Sequence, residues 1–154
     1  MTLADQQAAL VAALAGTAPA PAGFDADRIR AATDTLAFKR ARAVARAWPS
    51  VHTMLGADFR ERFAAYAATT PLPAQGGPLA DGRRFVRFLA KQMPLSDGTR
   101  LQALSIDVHY RQTVEGLERR YWPNVGAAWL PDSHNAVVAL GSHRFRLVLP
   151  RLRR

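Results

Sequence analysis

Four histidines, His52, His109, His134 and His143, are the residues best suited to ligate a metal or to move a proton near neutral pH. Their spacing supports neither role. No two stand four apart, as a metal pair on one helix face requires, and no His-Glu-x-x-His occurs. Asp107 and His109 are two apart, so on a helix they point to different faces. The sequence has no cysteine, which excludes thiolate metal sites, disulfides and a thiol nucleophile. Gly-x-Ser-x-Gly and phosphate-loop patterns are missing, and Gly76-Gly77 reads as a turn. The acidic residues fall mostly at expected helix starts or beside arginines, where the helix dipole and local pairing account for them. The expectation is a non-enzymatic protein with no catalytic residue, no metal site and no cofactor of its own.

Recognition chemistry is better represented. Of 21 basic residues, 19 are arginine and only Lys39 and Lys91 are lysine, giving a formal charge of +9 over 154 residues. Arginine's planar fork matches carboxylate or phosphate in a two-point contact. Residues 1–77 hold 8 basic and 6 acidic side chains, against 13 and 6 in residues 78–154. The excess therefore lies with the second half. Residues 140–154 carry Arg144, Arg146, Arg151, Arg153 and Arg154 without any acidic residue, the arrangement from which a β-ribbon could contact nucleic-acid phosphates. No helix-turn-helix, zinc-finger or RNP-like motif accompanies them, so that signal is electrostatic only. Tyr121, Trp122 and Trp129 stand among prolines and glycines, placed either to cover a core or to anchor a partner. Trp122, Trp129, Arg144 and Arg146 are the candidate partner- or peptide-binding residues.

These side chains need elements to position them. Thr2 and Asp5 have the spacing of a capping box, and Leu3, Leu10, Val11 and Leu14 follow it to Gly16. Residues 17–23 form a Pro/Ala linker. Asp25 caps a second helix with Ile29, Ala32, Leu36, Val44 and Trp48 inward, stopped by Pro49; Lys39, Arg42 and Arg46 share the opposite face. A short helical turn ends at Leu55-Gly56. Phe59, Phe63 and Tyr66 form an apolar stripe on a third helix, broken by Pro71, Pro73 and the glycine pair. Asp81 is expected to cap a helix carrying Phe85, Phe88 and Leu89. Asp97 is expected to cap another with Leu101, Leu104 and Val108 inward and Asp107 paired to Arg111. Then Ala136–Leu140, a Gly141-Ser142 turn and His143–Leu149 give a hairpin signal. Phe145, Leu147 and Leu149 alternate with Arg144 and Arg146, predicting a half-buried strand with its arginines outward. An arginine-bearing edge could accept an extended acidic peptide, or simply protect the strand from aggregation.

The resulting fold class is mainly α: a helical bundle-like domain with a small C-terminal antiparallel β-hairpin or three-stranded meander. The expected organisation is a helical arm over 1–16, a linker over 17–23, a helical domain over 24–112 and a β appendage with a basic tail over 113–154. The longest apolar run near the start, Ala8–Gly16, is too short to span a bilayer. It lacks the basic segment of a signal peptide, so a cytoplasmic location is expected.

From Lys39 to Leu89 the chain resembles a known family. The run Lys-Arg-Ala-Arg-Ala-Val-Ala-Arg-Ala-Trp-Pro (39–49) is followed by Met-Leu-Gly (54–56), Phe59, Phe63, Tyr66, Pro71, and then Leu79, Gly82, Phe85, Phe88 and Leu89. This order is similar to the helical domain, labelled DNA-binding, of HvfC/BufC-like and MbnC-like proteins. A short Arg- and Ala-rich actinobacterial subgroup matches more of the chain, including the N-terminal arm and the Arg-rich end. The resemblance implies a non-catalytic partner of a multinuclear non-heme iron oxidase that helps bring a precursor peptide to the enzyme. The metal would belong to the enzyme. Family members carry a longer second domain, where residues 113–154 stand here. DNA or RNA binding through Arg144, Arg146, Arg151, Arg153 and Arg154 is the alternative function.

Overall fold

The computed structural model describes residues 2–16 and 18–148. Helices α1 (Leu3–Leu14), α2 (Ala26–Ala47), α3 (Pro49–Leu55), α4 (Phe59–Thr69), α5 (Gly77–Ala90) and α6 (Asp97–His109) come first. A two-stranded ladder of β1 (Tyr110–Gln112) and β2 (Leu117–Arg119) follows, then an antiparallel sheet of β3 (Val125–Leu130), β4 (Asn135–Leu140) and β5 (His143–Val148) in that order. The mainly helical class with a C-terminal three-stranded meander is the one the sequence predicts.

Local chemistry sets most boundaries. Thr2 and Asp5 form the expected capping box on α1, and the Asp25 carboxylate accepts from the Asp27 and Arg28 amides to start α2. Helix α1 packs back on α2, burying Ala13 and bringing its carbonyl within 3.3 Å of the Thr33 hydroxyl. Pro49 cannot continue α2 but fits the first turn of α3, so the chain turns at Trp48. The Phe59, Phe63 and Tyr66 stripe is fully buried and meets Phe85 in edge-to-face and tilted contacts.

Two acidic caps are not where the sequence places them. Helix α5 begins at Gly77 behind Gly76, with Pro78 in its first turn, so Asp81 lies inside the helix and is completely buried. Its carboxylate accepts two bonds from Arg40 on α2, from Nε and Nη2, both 2.7 Å. The Tyr66 hydroxyl of α4 donates a third at 2.7 Å. Arg40 is itself only 13% exposed and lies over the Phe63 and Tyr66 rings. Burial alone would lower the Arg40 pKa, but the hydrogen bond and charge of Asp81 outweigh it and raise it. Burial, then the neighbouring Asp81 charge, push the Tyr66 phenol far above its ordinary range. Helix α6 is capped by Ser96, whose side chain accepts from the Thr99 amide; Asp97 is its first residue.

The residue after Asp81 serves the same junction. Trp48 packs against Gly82 and donates from its indole to the Leu79 carbonyl at 3.0 Å. A Cβ on Gly82 would stand 2.0 Å from Trp48 Cδ1, so the helices approach this closely only because Gly82 has no side chain.

Removing Asp81 leaves Arg40 and Tyr66 buried without their acceptor. Asp81→Ala is expected to lower unfolding free energy by about 3–5 kcal/mol in a urea titration. Asp27→Ala, at a solvated pair with Arg30, should leave the midpoint unchanged. Gly82→Ala is expected to cost about 1–3 kcal/mol by overpacking against Trp48. An unchanged midpoint in either core variant would contradict this account.

Candidate functional site

The sheet sits on α6 through one face only. Gly126, Ala128 and Leu130 of β3 lie opposite Ala139, Val137 and Asn135 of β4, and this face turns toward Leu104 and Val108. The approach is close: a Cβ on Gly126 would come 2.6 Å from Leu104 Cδ1. At the far tip the sheet is clasped to the start of α6. The Asp97 carboxylate accepts from the Asp132 and Ser133 amides at 3.1 and 2.9 Å, while the Asp97 amide donates to Asp132 at 3.0 Å. Slight burial opposes ionisation of Asp97, but these bonds outweigh it and hold its carboxyl below the usual carboxylate range.

Among the described residues nothing covers the other face of the sheet. Register places Val125 beside Leu140 and His143, Ala127 beside Val138 and Phe145, and Trp129 beside Ala136 and Leu147. Apart from His143, every one of these side chains is apolar. Trp129 is 44% exposed, Phe145 59% and Leu147 55%. Single exposed apolar residues are ordinary, but a contiguous patch across three strands marks an interaction surface.

The orientation of β5 therefore corrects the sequence reading. The alternation is present, but Phe145 and Leu147 point outward, whereas Arg144 and Arg146 stand on the helix side of the sheet opposite Ala139 and Val137. Arg144 donates to the Ser105 hydroxyl of α6 at 3.1 Å. The reason lies in β4, whose buried Asn135, Val137 and Ala139 fix which side meets α6. Helix α6 covers β3 and β4, and every residue of β5 is exposed. Leu149, Arg151, Arg153 and Arg154 lie outside the described residues.

The other candidates are distributed around this sheet. Trp122 is 77% exposed in the loop before β3 and meets Tyr121 edge to face. Register puts it at the Val125–Leu140 end of the sheet, near the Gly141 turn that packs on Pro123, while Trp129 stands toward the opposite end beside His134. The structure does not gather Trp122, Trp129, Arg144 and Arg146 into one cluster. The histidines are also dispersed: His109 Nδ1 donates to the Ser105 carbonyl and His52 packs on Phe59. Among the described residues no three His, Asp or Glu side chains form a group able to hold a metal ion. No helix among them is long and apolar enough to cross a membrane.

Sequence reasoning missed a second surface, along α5. Asp107 does not pair with Arg111, because α6 stops at His109 and Arg111 lies on β1, where it meets Glu118 across the ladder at 2.5 Å. Asp107 instead takes both arms of Arg83 at 2.9 and 2.6 Å. Two grooves adjoin at Arg83 and Arg87. One, of about 390 Å³, lies between α5, α6 and the β3 strand and includes Arg100 and Trp129. The other, of about 530 Å³, lies between α5 and the β1–β2 ladder and includes Arg84, Arg87 and Val114. The available sequence signal was the Arg83-Arg84-x-x-Arg87 run, which helical periodicity alone assigns to solvent.

Comparison with known proteins bears on the helical part. Residues 4–91 match the profile of the family described as SCO6045-like, C-terminal domain. The chain belongs to that family. It is also 38% identical over 87 residues to a UPF0276 protein of Streptomyces avermitilis, a match covering 56% of this chain and 18% of that protein. The chain thus spans less than a fifth of the length of this relative. No solved structure matches. The shared profile ends just beyond α5, so α6 and the three-stranded sheet lie outside it.

The Asp97 clasp has an acid limit. Its folded pKa is depressed, so its stabilising effect is complete above the ordinary value of 3.8 and is lost as pH falls through the folded value. In an NMR titration, the amide signals of Asp132 and Ser133 are expected to move together with a midpoint below pH 3.8. A midpoint at or above that value would rule the clasp out.

Proposed function

We propose that this chain is a non-enzymatic accessory protein that binds a peptide-modifying iron oxidase and helps recruit its precursor peptide. The observation that carries the reading is the outer face of the β3–β4–β5 sheet, which no described residue covers. Trp129 on β3 and Phe145 and Leu147 on β5 are large exposed side chains of this face, and aromatic anchors of this kind dominate interface energetics. The helical part supports the role through its resemblance, over Lys39–Leu89, to the HvfC/BufC-like and MbnC-like partner proteins. The Streptomyces relative supports it differently: there the matched segment accompanies a much larger body, the setting in which a docking module works. On this reading Trp122 extends the contact at one end of the sheet, while Arg144 and Arg146, on the helix side of the edge strand β5, lie behind the contact.

Co-expression with multinuclear non-heme iron oxidases and affinity capture at low and moderate salt tests the proposal. Stable capture is expected at both, because an apolar contact resists screening. Phe145→Asp with Leu147→Asp is expected to weaken capture at least about a hundredfold, since two anchors are lost from one patch. The thermal midpoint should stay near that of the parent chain, because both side chains are solvent-exposed. Absence of capture from every such oxidase, or capture untouched by the double variant, would sink the reading.

A further inference from the structure

Two of the three arginines that line the wider groove beside α5, Arg84 and Arg87, are held by neutral acceptors. Arg84 donates to the Val114 carbonyl at 2.5 Å, and Arg87 donates to the Gln112 side-chain carbonyl. Both partners are neutral. Among the described residues no carboxylate lies within ion-pair distance of either guanidinium, whereas Arg40, Arg83 and Arg111 each have one. Arg84 and Arg87 are three apart on α5, so they share a face. Their heads are engaged by the end of β1 and the loop that follows it, while their charge remains uncompensated among the described residues. Orientation has been supplied in advance of any anion, which reduces the entropy lost on binding.

The groove also continues. Arg83 and Arg87 border both lobes, and the narrower lobe, which Asp107 also lines, leads on to Arg100 and Trp129. Arg100 donates Nε to the neutral Leu95 carbonyl at 3.1 Å. Three guanidiniums hydrogen-bonded to neutral acceptors are therefore spread along a path; among the described lining residues Asp107 is the only carboxylate and is already engaged, and Arg100 also acts on the Asp97 charge beside the path. A compact single anion would use one point of this path. An extended chain bearing several carboxylates would use all of it.

We propose that this groove binds an acidic, extended peptide segment, with Arg84 and Arg87 as its principal carboxylate clamp and Arg100 as a second contact. The inference rests on the proposed role in handling a precursor peptide, and it assigns that peptide a surface separate from the one facing the oxidase. Trp129 borders both surfaces, so peptide and partner meet at the β3 strand.

The test uses the full chain and a fluorescein-labelled decapeptide of alternating Glu and Ala, read by fluorescence anisotropy at low salt. Binding is expected, weakening steeply as salt rises. Arg84→Gln with Arg87→Gln is expected to weaken it about tenfold or more, because two charge-assisted contacts become neutral ones. Arg84→Lys with Arg87→Lys should retain an intermediate affinity. Arg42→Gln with Arg46→Gln removes the same charge from the exposed face of α2 and should leave the affinity unchanged. Circular dichroism melting shows whether each variant is folded. Equal weakening by the α2 and α5 variants would overturn the proposal, since net charge alone would then account for binding. No binding by the parent chain would also overturn it, as would a duplex oligonucleotide that displaces the peptide and loses affinity to the same α5 variant. Oxidase capture is measured in parallel with Arg84→Gln/Arg87→Gln and should be unaffected. Capture without peptide binding defeats this groove alone; peptide binding without capture defeats the accessory role alone.

Discussion

The buried contact among Arg40, Asp81 and Tyr66 determines how the helical core is assembled. One carboxylate with no access to water joins α2, α4 and α5, and its three short hydrogen bonds leave no polar side-chain atom in the cluster without a partner. Such a group is expensive to bury and very expensive to orphan. It therefore selects against alternative packings of the same amphipathic helices more strongly than apolar contacts, which tolerate sliding. Trp48 against Gly82 adds a steric key beside this electrostatic one. Together they fix the rotation of α5, and so decide that Arg83, Arg84 and Arg87 emerge toward α6 and the β1–β2 ladder.

How far the sequence exposes this depends on the range of each interaction. The Thr2–Asp5 box, the Asp25 cap, the stop at Pro49 and the Phe59–Phe63–Tyr66 stripe are local and were legible. Asp81 was not. An aspartate beside glycine, just upstream of an apolar stripe, has the composition of a cap, and its partner Arg40 is 41 residues away. Asp107 failed for a related reason: the helix ends before the fourth residue on, so the helical pairing rule no longer applies. In β5 the alternation was legible but its direction was not. Period two separates two faces, and only β4's contact with α6 says which of them is covered.

The candidate sites divide in the same manner. Trp122 and Trp129 were recognisable because large aromatics outside regular helices have few reasons to be there. The groove along α5 could not be anticipated. Its identity depends on which arginines meet carboxylates and which meet carbonyls, and that distinction appears only when α5, α6 and β1–β2 are brought together. The charge of +9 is accordingly less uniform than its sum implies. Arg40 and Arg83 are spent on structure and Arg100 acts on the Asp97 charge, while Arg84 and Arg87 remain electrostatically available.

The contact of Trp48 with Gly82 also restricts how this sequence can drift over time. A side chain acquired first at position 82 would collide with the indole, and a smaller residue acquired first at position 48 would leave a void beside the bare helix backbone. Either order passes through a weakened ancestor. The two positions are thus bound into a single inherited choice: descendants that keep one are expected to keep the other, even where the surrounding surface has changed beyond recognition.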